Sequence, residues 1–180
     1  MESKTEMCSL TDDEIIAAIQ NNDIAKADIL FDRYYDLVLK YSLVFVKAFE
    51  EAEDVTQEIF TKAFKAMHGY RFHGKFKSWL LTIARRTLID RHRKVGLKTF
   101  SIDAVDLEIK DEASVPGASC TDHELLRILP AKEKEILLLR FVEGLSYSEI
   151  SSITGMSQGS LRNAVSRAIK RLQKDARDEL

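Results

Sequence analysis

Apolar residues recur at three- and four-residue spacing through most of the chain and are nowhere sustained in alternation, which predicts an all-α protein. Thr11 and Glu14 have the spacing of a capping box and open a short helix through Ile15, Ile16 and Ile19. Asp23 is the expected cap of a second, longer helix carrying Ile24, Leu30, Phe31, Tyr34, Leu37, Val38, Tyr41, Phe45 and Phe49. A third helix is predicted from about residue 51 to 67, ending near Gly69, and a fourth from about 75 to 94, after a loop containing Gly74 and before Gly96. Pro130 then precedes a helix through Ile136, Leu137, Leu139 and Phe141 that should stop at Gly144. Ser146 and Glu149 form another capping box, opening a short helix through Ile150 and Ile153. Gly155-Met156-Ser157 is the turn, and Ser157 caps a last helix over 157–174 carrying Leu161, Val165, Ile169 and Leu172.

The pattern lapses once, over 99–126, where seven acids, Pro116 and Gly117 occur with little periodicity. The expected architecture is therefore two small helical domains, 1–98 and 127–180, joined by an acidic flexible linker, 99–126. Charge follows the same cuts. The chain as a whole carries −2, but residues 1–69 sum to −7, 70–98 to +8, 99–126 to −6 and 127–180 to +3. A basic segment attracts polyanions through its local potential, so the acidic total does not exclude nucleic acid.

Other classes are excluded more firmly. The longest charge-free run, Ile150 to Leu161, is 12 residues; a bilayer span takes about 20 apolar ones, so no membrane insertion is expected. The acids at 2, 6, 12, 13 and 14 leave no apolar segment of a signal peptide. Cys8 and Cys120 are 112 residues apart and share no metal-binding spacing, which suggests a reduced, cytoplasmic chain with idle thiols. His68, His73, His92 and His123 form no ligand pair, and nucleotide-binding or hydrolase signatures are absent. No metal, cofactor, small-molecule substrate or catalytic activity is expected.

Two constellations point to nucleic acid. The short capped helix, the glycine turn and the longer helix bearing Arg162, Arg167, Lys170, Arg171 and Lys174, with no acid from 157 to 174, form a helix-turn-helix pattern. Arg162, Asn163, Ser166 and Arg167 fall within an arc of about 140° opposite Val165 and Leu172, a polar face that can enter a groove. Arg can read guanine and Asn adenine, while Lys170, Arg171 and Lys174 suit phosphates. The segment Tyr70-Arg71-Phe72-His73-Gly74-Lys75-Phe76-Lys77 interleaves rings and cations, the composition of a single-strand site. In the helix that follows, Phe76, Trp79, Leu80, Ile83, Ala84 and Thr87 share one face, and Ser78, Thr82, Arg85, Arg86, His92 and Arg93 lie on or beside the other. Phe76 and Trp79 read as core anchors; Phe72 and His73 read as strand contacts. The third helix should bury Val55, Ile59, Ala63 and Met67, and by pattern alone its Asp54, Gln57, Glu58 and Thr61 face is a solvated surface with a Glu58–Lys62 pair.

Glu53-Asp54-Val55-Thr56-Gln57-Glu58-Ile59-Phe60, with Phe76-Lys77-Ser78-Trp79-Leu80-Leu81-Thr82-Ile83-Ala84-Arg85 and Asp90, resembles region 2 of bacterial sigma factors of the extracytoplasmic function group. Leu129-Pro130 through Leu138-Leu139-Arg140, Glu143 to Ile150, and Gly159-Ser160-Leu161-Arg162 are similar to their region 4, and both sets together cover about 130 of the 180 residues. The resemblance implies a promoter-specificity subunit, not an enzyme. Asp54, Gln57 and Glu58 would then dock on the clamp helices of the polymerase largest subunit, with the flap as a further contact. Arg71, Phe72, His73, Lys75, Lys77, Arg85, Arg86 and Arg93 would capture the unpaired −10 strand. Ser160, Arg162, Asn163, Ser166, Arg167, Lys170 and Arg171 would bind the −35 element. The linker would thread through polymerase toward the active site, and an anti-sigma factor would be the regulator. Ala164 and Ser166 depart from the family pattern and bear on the −35 sequence rather than the fold. The alternative from the residues alone is a one-component helix-turn-helix regulator with a sensor or dimerisation module over 1–98.

Overall fold

The computed structural model describes residues 10–46, 48–71, 74–94 and 128–178. Seven α-helices and no strand occur among them: α1 Asp12–Gln20, α2 Ala27–Leu43, α3 Phe49–Ala66, α4 Phe76–Lys94, α5 Ala131–Leu137, α6 Tyr147–Thr154 and α7 Gln158–Asp178. The all-α expectation holds. The interior is one apolar layer against another. Ile15 and Ile16 of α1, Leu30 and Val38 of α2, Val55, Ile59 and Ala63 of α3, and Leu80, Leu81, Ala84 and Leu88 of α4 are buried together. Ile136, Leu139, Ile150, Leu161 and Ala168 are the fully buried side chains of the C-terminal helices, and Leu129, Val165 and Ala164 join them.

Both capping boxes form. Thr11 accepts from the Glu14 amide at 3.3 Å while Glu14 accepts from the Thr11 amide at 2.7 Å, and Ser146 and Glu149 repeat the exchange at 3.3 and 2.9 Å. Those hydrogen bonds hold the Glu149 carboxylate below its usual range, with Lys75 adding a smaller attraction. Ser146→Ala should cost about 1 kcal/mol in thermal unfolding near neutral pH. Because a depressed carboxylate stabilises the fold above its unfolded-state pKa and stops doing so as pH falls through the folded-state value, the gap between variant and wild type should narrow in acid.

Three local expectations are corrected. Asp23 makes no capping hydrogen bond, because its backbone at ψ 73° is not in the extended geometry of a cap. It lies 3.7 Å from Lys26 instead, and a 3₁₀ turn, Ile24–Lys26, precedes α2. The second helix stops at Leu43, two residues before Phe45 and six before Phe49. The chain turns at 44–46, where the Phe45 carbonyl meets the His92 ring at 3.0 Å, and Phe49 opens α3. Finally, α5 widens into a π-turn, Leu138–Val142, closed by the Glu143 amide on the Leu138 carbonyl at 3.0 Å. The extra residue per turn rotates the chain, so Phe141 and Val142 are 61 and 63% exposed rather than on the buried face. Gly144, at φ 68°, supplies the left-handed turn that ends this segment.

The N- and C-terminal helices also touch each other. α6 packs on α4 and α5 on α7. Between the halves, the Arg85 guanidinium of α4 reaches Glu135 of α5 at 2.9 Å, and the Tyr41 hydroxyl of α2 donates to the same carboxylate at 2.6 Å. All three residues are buried.

Candidate nucleic-acid interfaces

The helix-turn-helix is built by local chemistry. Gly155 adopts φ 75° and ends α6, with its amide on the Ser151 carbonyl at 2.8 Å. Ser157 caps α7 through the Ser160 amide at 3.2 Å. Leu161, Ala164, Val165 and Ala168 are buried and fix the rotation of α7. Ser160, Arg162, Asn163, Ser166, Arg167, Lys170 and Arg171 are consequently all exposed on the outer side.

These side chains are not equally free. Glu133 of α5, buried at 6% exposure, lies 3.2 Å from Arg171 and 3.9 Å from Arg167. Both arginines remain half-exposed or more, so solvent leaves these pairs a positioning role more than a large energy. Tyr147, the first residue of α6, has the Arg140 guanidinium 4.8 Å and the Arg162 guanidinium 5.2 Å from its ring centroid. Such cation–π contacts orient Arg162 toward the groove side at about 0.5–1 kcal/mol each. A groove of about 340 Å³ is lined by Lys132, Met156, Ser160, Asn163 and Arg167. Lys132, Glu133, Arg140 and Tyr147 carried no sequence signal for this surface, since only the packing of α5 and α6 on α7 brings them there.

The residues expected at a single strand divide into two groups. Arg71 and Lys75 are exposed in the loop and at the start of α4, and Arg86 and Arg93 are exposed along it. Arg86 and Arg93 are seven residues apart and so share one stripe, with Lys75 nearly in line. Lys77 and Arg85 point elsewhere. Lys77 meets Glu143 at 2.5 Å and its main-chain carbonyl at 3.0 Å, and Arg85, only 8% exposed, is held by Glu135. The expectation that Arg85 sits on the polar side of α4 therefore needs correcting in this arrangement: its outer face is covered by α5. Phe72 and His73 lie outside the described residues, as do Cys8, Cys120 and the linker. Phe76 and Tyr70 are buried at 2 and 7% exposure, with Trp79 packed on both.

On α3, Val55, Ile59, Ala63 and Met67 are buried as expected. Asp54, Gln57 and Thr61 are exposed and Glu58 is half-exposed. Glu58 pairs with Lys62 at 2.7 Å and lies 3.7 Å from Arg91 of α4. Asp54 and Gln57 thus present an acidic, hydrogen-bonding ridge on the opposite end of the sequence from the recognition helix.

A capped recognition helix with an exposed cationic face, joined to a second bundle with a separate cationic stripe, defines a two-module, all-helical DNA-reading protein. Residues 30–97 match the model of Sigma-70 region 2, and residues 123–172 that of Sigma-70 region 4. The RNA polymerase sigma-H factor of Pseudomonas aeruginosa is 30% identical over 91% of this chain and 92% of its own length. The ECF RNA polymerase sigma factor SigM of Bacillus subtilis is 30% identical over 81% of this chain and 92% of its own. Among solved structures, the sigma factor RpoE of Bartonella quintana in complex with the anti-sigma factor NepR is 27% identical, with a TM-score of 0.63 over 80% of this chain and 94% of that one. The chain belongs to the sigma-70 family, in its ECF subfamily. A one-component regulator, the other reading of the helix-turn-helix, is not favoured, because the match extends through the N-terminal helices as well.

Proposed function

We propose that this chain directs core RNA polymerase to a set of promoters and helps to open them, with 1–98 as the polymerase-docking and −10 module, 99–126 as a linker inside the enzyme, and 127–180 as the −35 module. The observation that carries the reading is the exposed polar face of α7, Arg162, Asn163, Ser166 and Arg167, on a capped helix whose other side is buried. Arg162 and Arg167 donate to guanine edges, Asn163 pairs with adenine, and Ser160, Lys170 and Arg171 hold phosphates. Arg71, Phe72, His73, Lys75, Arg86 and Arg93 hold the unpaired −10 strand by stacking and charge, and Lys77 and Arg85 join them only when released from Glu143 and Glu135.

Strand opening by this route needs neither a catalytic residue nor a cofactor: contacts made only to unpaired bases offset the loss of pairing. The two modules bind DNA weakly apart and gain affinity when polymerase sets their spacing. A transcription factor of this kind works in the cytoplasm, and no helix among the described residues is long and apolar enough to cross a membrane. An anti-sigma factor is the expected inhibitor, as in the complex of the Bartonella relative.

Polymerase docking assigns Asp54, Gln57 and Glu58 to the clamp helices. Core polymerase titrated with the chain should form a complex, and Asp54→Ala or Glu58→Lys should weaken it about tenfold or more whatever promoter is present, the scale of removing one charged interface group. Wild-type affinity for both variants would remove those residues from the interface. Promoter binding by the holoenzyme should also fall steeply with salt. Six to ten phosphate contacts would lose about 10³–10⁵ in affinity between 50 and 200 mM salt, and Lys170→Ala with Arg171→Ala should flatten the log–log slope by about two.

A further inference from the structure

Two cations of the strand-facing helix, Lys77 and Arg85, have anionic partners from the C-terminal half, whereas Arg91 pairs with Glu51 and Glu58 of α3. Arg85 binds Glu135 at 2.9 Å, Lys77 binds Glu143 at 2.5 Å, and Lys75 adds a weaker attraction that helps to lower the Glu149 carboxylate pKa. Along α4, Lys77 and Arg85 face Glu143 and Glu135 in antiparallel order, and Lys75, just before the helix, extends the series toward Glu149 by charge alone. At the inner end the pairing is buried: Glu135 is 3% exposed, and Arg85 and fully buried Tyr41 both donate to its Oε1. At the outer end it is open, with the Lys77 side chain 33% exposed. A carboxylate held by a guanidinium and a hydroxyl occupies the kind of site that takes a phosphodiester oxygen equally well.

We propose that the Tyr41, Lys75, Lys77 and Arg85 surface is a phosphate-binding track, that Glu135, Glu143 and Glu149 of the C-terminal helices are its internal ligand, and that single-stranded DNA and this acid row bind it in competition. The proposal rests on the promoter-directing reading above and adds which contacts must break before a strand can be held.

Geometry makes the exclusion strict. Promoter elements named −10 and −35 are centred about 25 base pairs apart, which is about 85 Å along B-form duplex. With α6 in contact with α4, the two modules cannot lie on both elements of one duplex. The 33 residues between Lys94 and Ile128 can span about 110 Å when extended, so separation on polymerase is within reach of the chain. The recognition face of α7 stays exposed in the docked form. Docking therefore shuts the strand track and leaves the duplex-reading helix open. A free chain that is closed about 90–99% of the time loses about 10–100-fold in apparent affinity for a single strand.

The test uses the full-length chain and a fluorescent single-stranded oligonucleotide carrying the non-template sequence of a promoter that its holoenzyme transcribes. Glu135→Gln with Glu143→Gln should bind the oligonucleotide at least tenfold more tightly than wild type. Glu143→Gln alone, at the exposed rim where folding is not at stake, should shift affinity in the same direction by less. Lys77→Ala should weaken binding in the glutamine background, which distinguishes loss of a competitor from general loosening. Donor and acceptor dyes on Ile24→Cys and Arg177→Cys, in a Cys8→Ser and Cys120→Ser background, should report separation of the halves as the oligonucleotide saturates. Equal affinity of the glutamine variants and wild type, or saturation with unchanged energy transfer, overturns the proposal. Transcription by wild-type holoenzyme is the control: promoter-specific transcript with either of those results defeats this inference alone, whereas no transcript defeats the functional reading beneath it.

Discussion

Arg162→Ala should lower the affinity of holoenzyme for its promoter about 5- to 150-fold, the 1–3 kcal/mol of a bidentate base contact, and relax preference at one −35 position. The size follows from how the side chain is held. Arg162 leaves α7 one position after buried Leu161, near the N-terminal end where base contacts are made. It is braced by the Tyr147 ring at 5.2 Å and by the Gln158 side-chain oxygen at 3.5 Å. Arg167→Ala should act at a second position, and the double variant should lose close to the product of the two factors, since separated base contacts are roughly additive. Selection of bound sequences from a randomised −35 element gives both the affinities and the positions. A uniform loss across all sequences would instead make these arginines phosphate contacts.

The second large effect is on stability. Arg85→Ala leaves the Glu135 carboxylate buried with only the Tyr41 hydroxyl as partner, and breaking a buried pair in this way costs about 3–5 kcal/mol. The loss has a ceiling, because the halves can come apart and return Glu135 to water. Thermal unfolding should thus show a lower transition for the variant and a wider separation between the melting of the N- and C-terminal helices. Replacing the whole group, with Arg85→Met, Glu135→Leu and Tyr41→Phe together, should recover most of the lost stability, since well-packed apolar groups substitute for a buried ion pair at little net cost. Failure of the triple variant to recover would assign the loss to packing of α4 rather than to charge.

The helix-turn-helix was legible because its signals are local: Ser146 with Glu149, Gly155, Ser157, and apolar residues at Leu161 and Val165 lie within twenty residues. The same holds for Thr11 with Glu14 and for the buried stripe of α3. Asp23 misled because a 3₁₀ turn rather than an extended cap leads into α2, and Phe45 because the end of α2 depends on a partner from another helix, the His92 ring at the Phe45 carbonyl. Phe141 misled because the inward face of a helix is read with a constant period, and the π-turn at Leu138–Val142 breaks it. Least legible was Arg85. Its cationic character and its place in the motif pointed to DNA, whereas its partners Glu135 and Tyr41 stand 50 and 44 residues away in sequence and meet it only through packing. Glu133 and Lys132 beside the recognition helix belong to the same class of long-range neighbours.

The two DNA-reading faces of the chain are proposed to act on one promoter through polymerase. Purified core polymerase, with and without this chain, should be given a library of promoter fragments from the source genome and its run-off transcripts sequenced. Discrete start sites should appear only with the chain, share both a −35 and a −10 sequence at fixed spacing, and disappear with Arg162→Ala and Arg167→Ala together. Transcripts identical with and without the chain across the library would contradict this.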